Sequence, residues 1–247
     1  MKAYTSTHRS YRALATHDNE ISFQVVIEET DLHIVCEQDL REAIFDHVHT
    51  LRGQIKGYMH LHPAFLTSLT PLPLDPHAPS LVATMLEAGR ILDVGPMAAV
   101  AGAIAQNVAD TFVDQSRNIL VENGGDIYMH SNRERTIGVL PDPVGDMALG
   151  LALTPADFPC AVCSSSAFIG HSLSLGTGDL VVVRARAGAL ADAAATRLCN
   201  ELKSRRDLQK ILGMAEDLKV EGIQGVLAQC AGNIGITGAM ELVGLGG

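Results

Sequence analysis

The stretch GPMAAVAGAIAQNVA, residues 95–109, sets the strongest limit on what this chain can fold into. Pro96 suits the first turn of a helix, where its missing N–H has no partner to lose. The small side chains that follow on most faces let other elements approach the backbone closely. The pattern therefore predicts a central helix packed on all sides. It is interrupted by Gly, Gln and Asn and falls short of the ~20 apolar residues that span a bilayer. A protein core, not a membrane, is its expected setting. A chain of 247 residues with a 47% apolar share is long enough to build the cover such a helix needs.

The remaining elements alternate between strand pairs and long helices. Residues 21–28 and 32–37 are short, β-branched and partly alternating, which predicts a hairpin turning through Glu29, Thr30 and Asp31. Leu40, Ile44, His47, Leu51 and Ile55 recur at helical spacing, so residues 38–59 are expected as a helix with one apolar stripe. A proline-rich loop follows. A helix is expected over 80–91, with Ser80 as N-cap. Residues 118–122 and the segment from Ile127 predict strands joined through Asn123-Gly124-Gly125-Asp126, a good hairpin turn in its own right. Strands are also expected over 136–140, 149–153, 161–164 and 180–184, helices over 190–202 and 206–218, and strand-like segments over 225–229 and 233–243. Strands in hairpins between helices favour an α+β fold of mainly antiparallel sheets. No linker breaks the chain, so residues 1–247 are read as a single domain, or as two intimately joined subdomains. Gly170, Gly176 and Gly178 are spaced wrongly for a dinucleotide-binding fingerprint.

Charge narrows the partners. The net charge is -10, there is no Trp, and the only basic run is the pair Arg205-Arg206. A nucleic-acid surface needs clustered positive charge, so none is expected. A small anionic ligand remains compatible, because backbone N–H groups hold phosphate locally. The first twenty residues are polar and lack the apolar run of a secretory signal, and a soluble cytoplasmic protein is expected. Five cysteines fit reduced thiols better than a disulfide framework. Cys160 and Cys163 form a CxxC without a second ligand pair, which reads as buried thiols at a strand edge and not as zinc. His47/His49 and His60/His62 are spaced i,i+2, so on a helix they point apart and do not make a metal site.

Polar chemistry concentrates between Cys163 and Asn200. Ser164-Ser165-Ser166 opens the stretch, His171 and a Gly176-Thr177-Gly178-Asp179 turn follow, and an alanine-rich helix carries Asp192 and Thr196. These two are i,i+4, so they share a helix face. A carboxylate and a hydroxyl one turn apart offer two hard oxygens to Mg²⁺. The same pair is equally readable as an acid favouring its own helix dipole and a threonine bonded back one turn. His171 is able to move a proton near neutral pH. No Gly-x-Ser-x-Gly elbow surrounds the serines, which speaks against a serine hydrolase.

Taken together, GPMAAVAGAIA, ENGGDI, SSS followed by GHSLS, and LADAAAT resemble the ApbE superfamily, closest to a prokaryotic branch of unknown function. The match runs from the first hairpin to the end of the chain. Characterised members are FAD:protein FMN transferases, in which Mg²⁺-bound FAD is split at its pyrophosphate and FMN passes to a Thr or Ser hydroxyl. The resemblance implies Asp192 and Thr196 as metal ligands and His171 as the catalytic base. Gly124, Gly125, Asp126, Ser165, Ser166, Thr177 and Gly178 would line the nucleotide site. It also implies a nucleotide-like ligand, with a homodimer as a further expectation. Two departures stand out: Ser174-Leu175 replaces an Asp-Pro after the histidine, and Ala101-Gly102 replaces a Lys-Gly in the central helix. The alternative is therefore a flavin- or nucleotide-binding protein without transferase chemistry.

Overall fold

The computed structural model describes residues 19–140, 148–166 and 179–245. Among the described residues eleven strands form two antiparallel sheets. The larger has the order β1-β2-β3-β4-β7-β8-β9-β10 and the smaller β11-β6-β5. β1 (Ile21–Ile27) and β2 (Thr30–Cys36) are the predicted hairpin. Its turn is tighter than expected, with Ile27 opposite Thr30 and Glu28 at φ 54. β3 (Ile119–Asn123) and β4 (Asp126–His130) continue the sheet, followed in space by β7 (Cys160–Ser165), β8 (Leu180–Ala185), β9 (Ile223–Cys230) and β10 (Asn233–Gly238). β5 (Arg135–Leu140), β6 (Ala148–Leu153) and β11 (Leu242–Leu245) make the small sheet.

The central strands of the large sheet are buried on both faces, because alternation along a strand sends side chains to two cores, while β1 and β10 at its edges are partly exposed. Val121, Tyr128, Ala161, Cys163, Val181 and Val183 face the helices. Leu120, Ile127, Met129, Val162, Val182 and Leu227 face the small sheet, against Ile137, Leu151 and Leu153. This explains why the central strands read as nearly continuous apolar runs. Cys160 and Cys163 fall on opposite faces of β7. They cannot share a metal or a disulfide, and they sit in the middle of the sheet and not at its edge.

The helical layer holds α1 (Arg41–Leu61), the short α2 (Ala64–Thr67), α3 (Ser80–Leu92), α4 (Val100–Phe112), α5 (Gly188–Glu201) and α6 (Leu208–Asp217). Ser80 is the first helical residue of α3, Pro79 takes the cap position, and no side chain caps it. His47 is only half-buried and contacts Asn107, so the α1 core stripe is Ile44, Val48, Leu51, Ile55 and Tyr58. Pro96 starts a 3-10 turn to Ala99, which leads into α4. α4 is not enclosed on all sides, since Asp110 and Thr111 are exposed. The enclosed helix is α5, whose first eight residues, Gly188 to Ala195, are all buried. No single helix among the described residues is long and apolar enough to cross a membrane.

α4 and α5 meet backbone to backbone. A methyl on Gly102 would lie 2.2 Å from the Gly188 carbonyl oxygen, and one on Gly188 would lie 2.3 Å from that of Gly102. Only hydrogen at both positions permits this contact. The crossing brings each helix start within reach of the other helix, which sets up the site described next.

Candidate functional site

The diglycine turn is a two-residue hairpin loop. Asn123 pairs with Asp126, and Gly124 and Gly125 have φ of +69 and +125. Such a primed turn matches the strand twist and needs residues that tolerate positive φ. The turn chemistry therefore accounts for the glycines. What it adds is placement. Asn123 and Asp126 both lie on the helix-facing side of the sheet, at the start of α4. Asn123 Nδ2 donates to the Ala101 carbonyl at 3.3 Å. Asp126 Oδ1 accepts from the Ser164 N–H at 3.1 Å.

Asp192 approaches the same point from above. Its Oδ2 accepts from the Gly102 N–H at 2.9 Å, and the Ala101 N–H also bonds to the carboxylate. The dipole reading of Asp192 thus needs correcting. Its carboxylate serves the first turn of α4, where free N–H groups need acceptors, and not the start of its own helix. The exchange is reciprocal, since Gln106 Oε1 of α4 accepts from the Gly188 N–H at 2.7 Å. Neither Gln106 nor the Gly102–Gly188 contact is evident from local sequence. A lone Gln in a small-residue helix was the available signal.

β7 lies beneath both. Extending the register of Ile127 with Val162 puts Asp126 opposite Cys163, whose thiol bonds to the carboxylate and lies 3.8 Å from the Gly188 carbonyl. α5 follows β8 almost directly and returns along β7 in the same direction. Two residues along β7 from Cys163 is about 7 Å. Four residues along α5 from Gly188 is about 6 Å. Ser165 thus lies two strand residues, and Asp192 about one helical turn, beyond the contact between Cys163 and Gly188. Ser165 is 8% exposed, and its Oγ has no hydrogen-bond partner among the described residues. Half-buried Thr196 follows one turn beyond Asp192.

Two carboxylates in one dry corner repel each other's charge. Burial pushes Asp126 up to about 7, with the Glu122 carboxylate adding to the rise and the Ser164 N–H and Cys163 thiol opposing it. Burial, and then Asp126 itself, holds Asp192 well above the usual carboxylate range, against the N–H groups of Gly102 and Ala101. The Cys163 thiol is raised by burial and by both carboxylates. Among the described residues no cationic side chain bonds to either acid.

Asp126 and Asp192 are thus brought together beside Cys163, with the Gly124-Gly125 turn next to Asp126 and Ser165 two residues along β7 from Cys163. Ser166 stands apart in role: its Oγ donates to the Asp179 carbonyl at 2.6 Å. This pins together the two ends of the segment that carries His171, Thr177 and Gly178. Those three residues lie outside the described residues. Among the described residues no group of three or more His, Cys, Asp or Glu could hold a metal.

The comparisons agree with this architecture. The chain is similar to a UPF0280 protein of Methanocaldococcus jannaschii, 34% identical over 226 residues, covering 89% of this chain and 92% of that one. A UPF0280 protein of Methanococcus aeolicus is 37% identical over 192 residues, or 74% and 77% of the two chains. Among solved structures, the flavin transferase ApbE from Vibrio cholerae superposes with a TM-score of 0.58 at 12% identity, covering 89% of this chain and 97% of that one. The ApbE protein of Thermotoga maritima gives 0.56 at 14%, covering 87% and 96%. At such identities the likeness is one of fold. A family model described as "AbpE bacteria" matches residues 12–236. The chain accordingly belongs to the ApbE-like family, together with the archaeal UPF0280 proteins.

Proposed function

We propose that this corner binds FAD as its magnesium complex and cleaves the pyrophosphate, with FMN passing to a protein hydroxyl. The observation that carries the reading is the pair of buried carboxylates, Asp126 and Asp192, which no cationic side chain bonds among the described residues, with a buried Ser165 hydroxyl that has no hydrogen-bond partner there either. Hard oxygens with no cationic partner are the donor set that suits Mg²⁺, which takes one or two carboxylates and completes its shell with phosphate and water. Asp192, with Thr196 one turn beyond, would hold the ion, and Asp126 faces it from the sheet.

Bound there, Mg²⁺ supplies charge neutralisation at a phosphoanhydride. The chain's own residues do the rest. The Gly124-Gly125 turn lets a ligand approach the backbone without a Cβ in the way. Ser165 offers a pre-placed hydroxyl in a site that excludes water. Ser166 fixes the base of the segment bearing His171, whose imidazole has the right chemistry to take the proton from an incoming hydroxyl.

A second reading, binding without transfer, draws on Ala101. Its N–H bonds to Asp192 and its carbonyl accepts from Asn123, so this position contributes structure and no cation. One experiment separates the readings. Purified protein is given FAD and Mg²⁺ with candidate acceptor proteins, and AMP and FMN are followed by chromatography alongside flavin fluorescence. Transfer predicts AMP release that Asp192→Asn abolishes. Saturable flavin binding without AMP favours the second reading. Neither binding nor turnover would sink both.

A further inference from the structure

At the far end of β4 from Asp126, about 13 Å away along the strand, the surface opens into a cleft of about 240 Å³. Its polar lining comes from Arg117, His130, Ser131 and Asn132, and its apolar wall from Val113, Phe158 and Pro159. Three observations point to a ligand.

The first is the guanidinium of Arg117. The side chain is exposed and forms no ion pair or hydrogen bond among the described residues, in a chain whose net charge is -10. Its backbone is anchored, since the Arg117 N–H bonds to the Glu37 carboxylate. The neighbouring Arg133 and Arg135, by contrast, are both engaged with Glu20.

The second is the imidazole of His130, which is held in place. Its Nε2 lies 2.7 Å from Asp110 Oδ1. Asp110 also bonds to the Tyr128 hydroxyl and receives the Gln106 amide at 3.2 Å. Gln106 is in turn fixed by the Gly188 N–H. This line of bonds holds the ring in place at the lining of the cleft.

The third is the wall. Phe158 is half-buried and packs against the core between the two sheets. It follows Asp157, which is tied to buried Arg184 at 2.6 Å. An apolar wall therefore stands beside a fixed imidazole and a guanidinium that has no partner among the described residues.

We propose that this cleft is a second binding site, for a small carboxylate anion that carries a planar apolar group. The carboxylate engages Arg117 in the two-bond geometry that a guanidinium favours, with His130 beside it. The planar body covers Phe158 and Pro159. The volume lies below the roughly 300–1,000 Å³ of drug-sized pockets, so the ligand has about ten heavy atoms. The site is separate from the Asp126–Asp192 corner, and the proposal does not depend on flavin chemistry.

Benzoate is the probe, with benzamide, acetate and inorganic phosphate as comparisons, followed by amide chemical shifts in ¹⁵N-labelled full-length protein. Benzoate is expected to bind saturably with a Kd on the order of 1 mM, within the affinity open to so few atoms. The shifts should centre on Arg117, Ser131 and Asn132. Benzamide, which lacks the charge, and acetate, which lacks the ring, should each bind at least about tenfold more weakly, the loss expected when one of the two recognition elements is gone. Arg117→Gln, an exposed and conservative change, should weaken benzoate by a similar factor while leaving the spectrum of the free protein otherwise intact. His130→Gln tests the second contact. No saturable shift, or equal binding by Arg117→Gln, overturns the proposal. Inorganic phosphate binding as well as benzoate overturns the planar part of the assignment.

Discussion

Replacing Asp126 with Asn should stabilise the metal-free protein at neutral and alkaline pH. Asp126 titrates near 7 in the folded chain against 3.8 for an unperturbed aspartate. Between those two values the folded state holds a proton that the unfolded state has released. Folding then binds more protons than unfolding, so stability falls as pH rises from about 4 to about 7 and levels off above. The difference of roughly three pH units corresponds to at most about 4 kcal/mol, at 1.36 kcal/mol per unit. Asn at this position keeps an oxygen for the Ser164 N–H and removes the ionisation. For a chain of this size each kcal/mol moves Tm by about 2–4 °C. Thermal denaturation in EDTA should therefore place Asp126→Asn about 5–10 °C above the native protein at pH 8, with the gap closing near pH 4. Part of the native pH slope should survive in the variant, because Asp192 is raised as well. A variant less stable than the native protein at pH 8, or a gap that does not change with pH, would refute the claim that burial raises the Asp126 carboxyl here. Saturating Mg²⁺ should stabilise the native protein at pH 8 and erase much of the variant's advantage.

Two further outcomes follow from packing. Gly102→Ala pushes a methyl to 2.2 Å from the Gly188 carbonyl oxygen. The helices must separate, at a cost of about 3 kcal/mol or more by urea denaturation. A loss below about 1 kcal/mol would show that the crossing gives way easily. Arg135→Ala removes the close, two-bond partner of the buried Glu20 carboxylate, whose other arginine, Arg133, lies at 3.9 Å, and should cost about 3 kcal/mol, whereas the double change Glu20→Gln/Arg135→Met should recover most of it.

Much of the architecture was legible in sequence because period and punctuation report local geometry. The hairpins around residues 28 and 124, the helical stripe of α1 and the Pro96 helix start all come from interactions a few residues apart. The shifts at the ends have local causes too: Glu28 tolerates positive φ, so the first turn closes one pair earlier than expected. The α4 environment was misjudged for a different reason. Small residues on all sides were read as full enclosure, but small residues also serve close approach on one side only. Gly102 does that against Gly188, leaving Asp110 and Thr111 exposed.

For the candidate site, residue types were legible and partners were not. The Asn123-Gly124-Gly125-Asp126 turn, the serine run and the Asp192/Thr196 helix each carry a local signature. Spacing could not show that Asp192 bonds to the first turn of α4, since Gly102 lies 90 residues away in the chain. Nor could it show that Ser165 has no partner among the described residues, that Cys163 lies against Asp126, or that the CxxC cysteines sit on opposite faces of β7.

By itself, then, the sequence determined which segments are strands and helices, that the sheets are antiparallel, and which oxygens are available for chemistry. Only the tertiary structure decided which of those oxygens are occupied by backbone N–H groups, which stand opposite another acid, and which remain without a partner. The physical reason is that hydrogen bonding and desolvation depend on distances across the α4–α5 crossing and the β4–β7 ladder. Those distances exist only once two glycines far apart in the chain have brought the helices into contact.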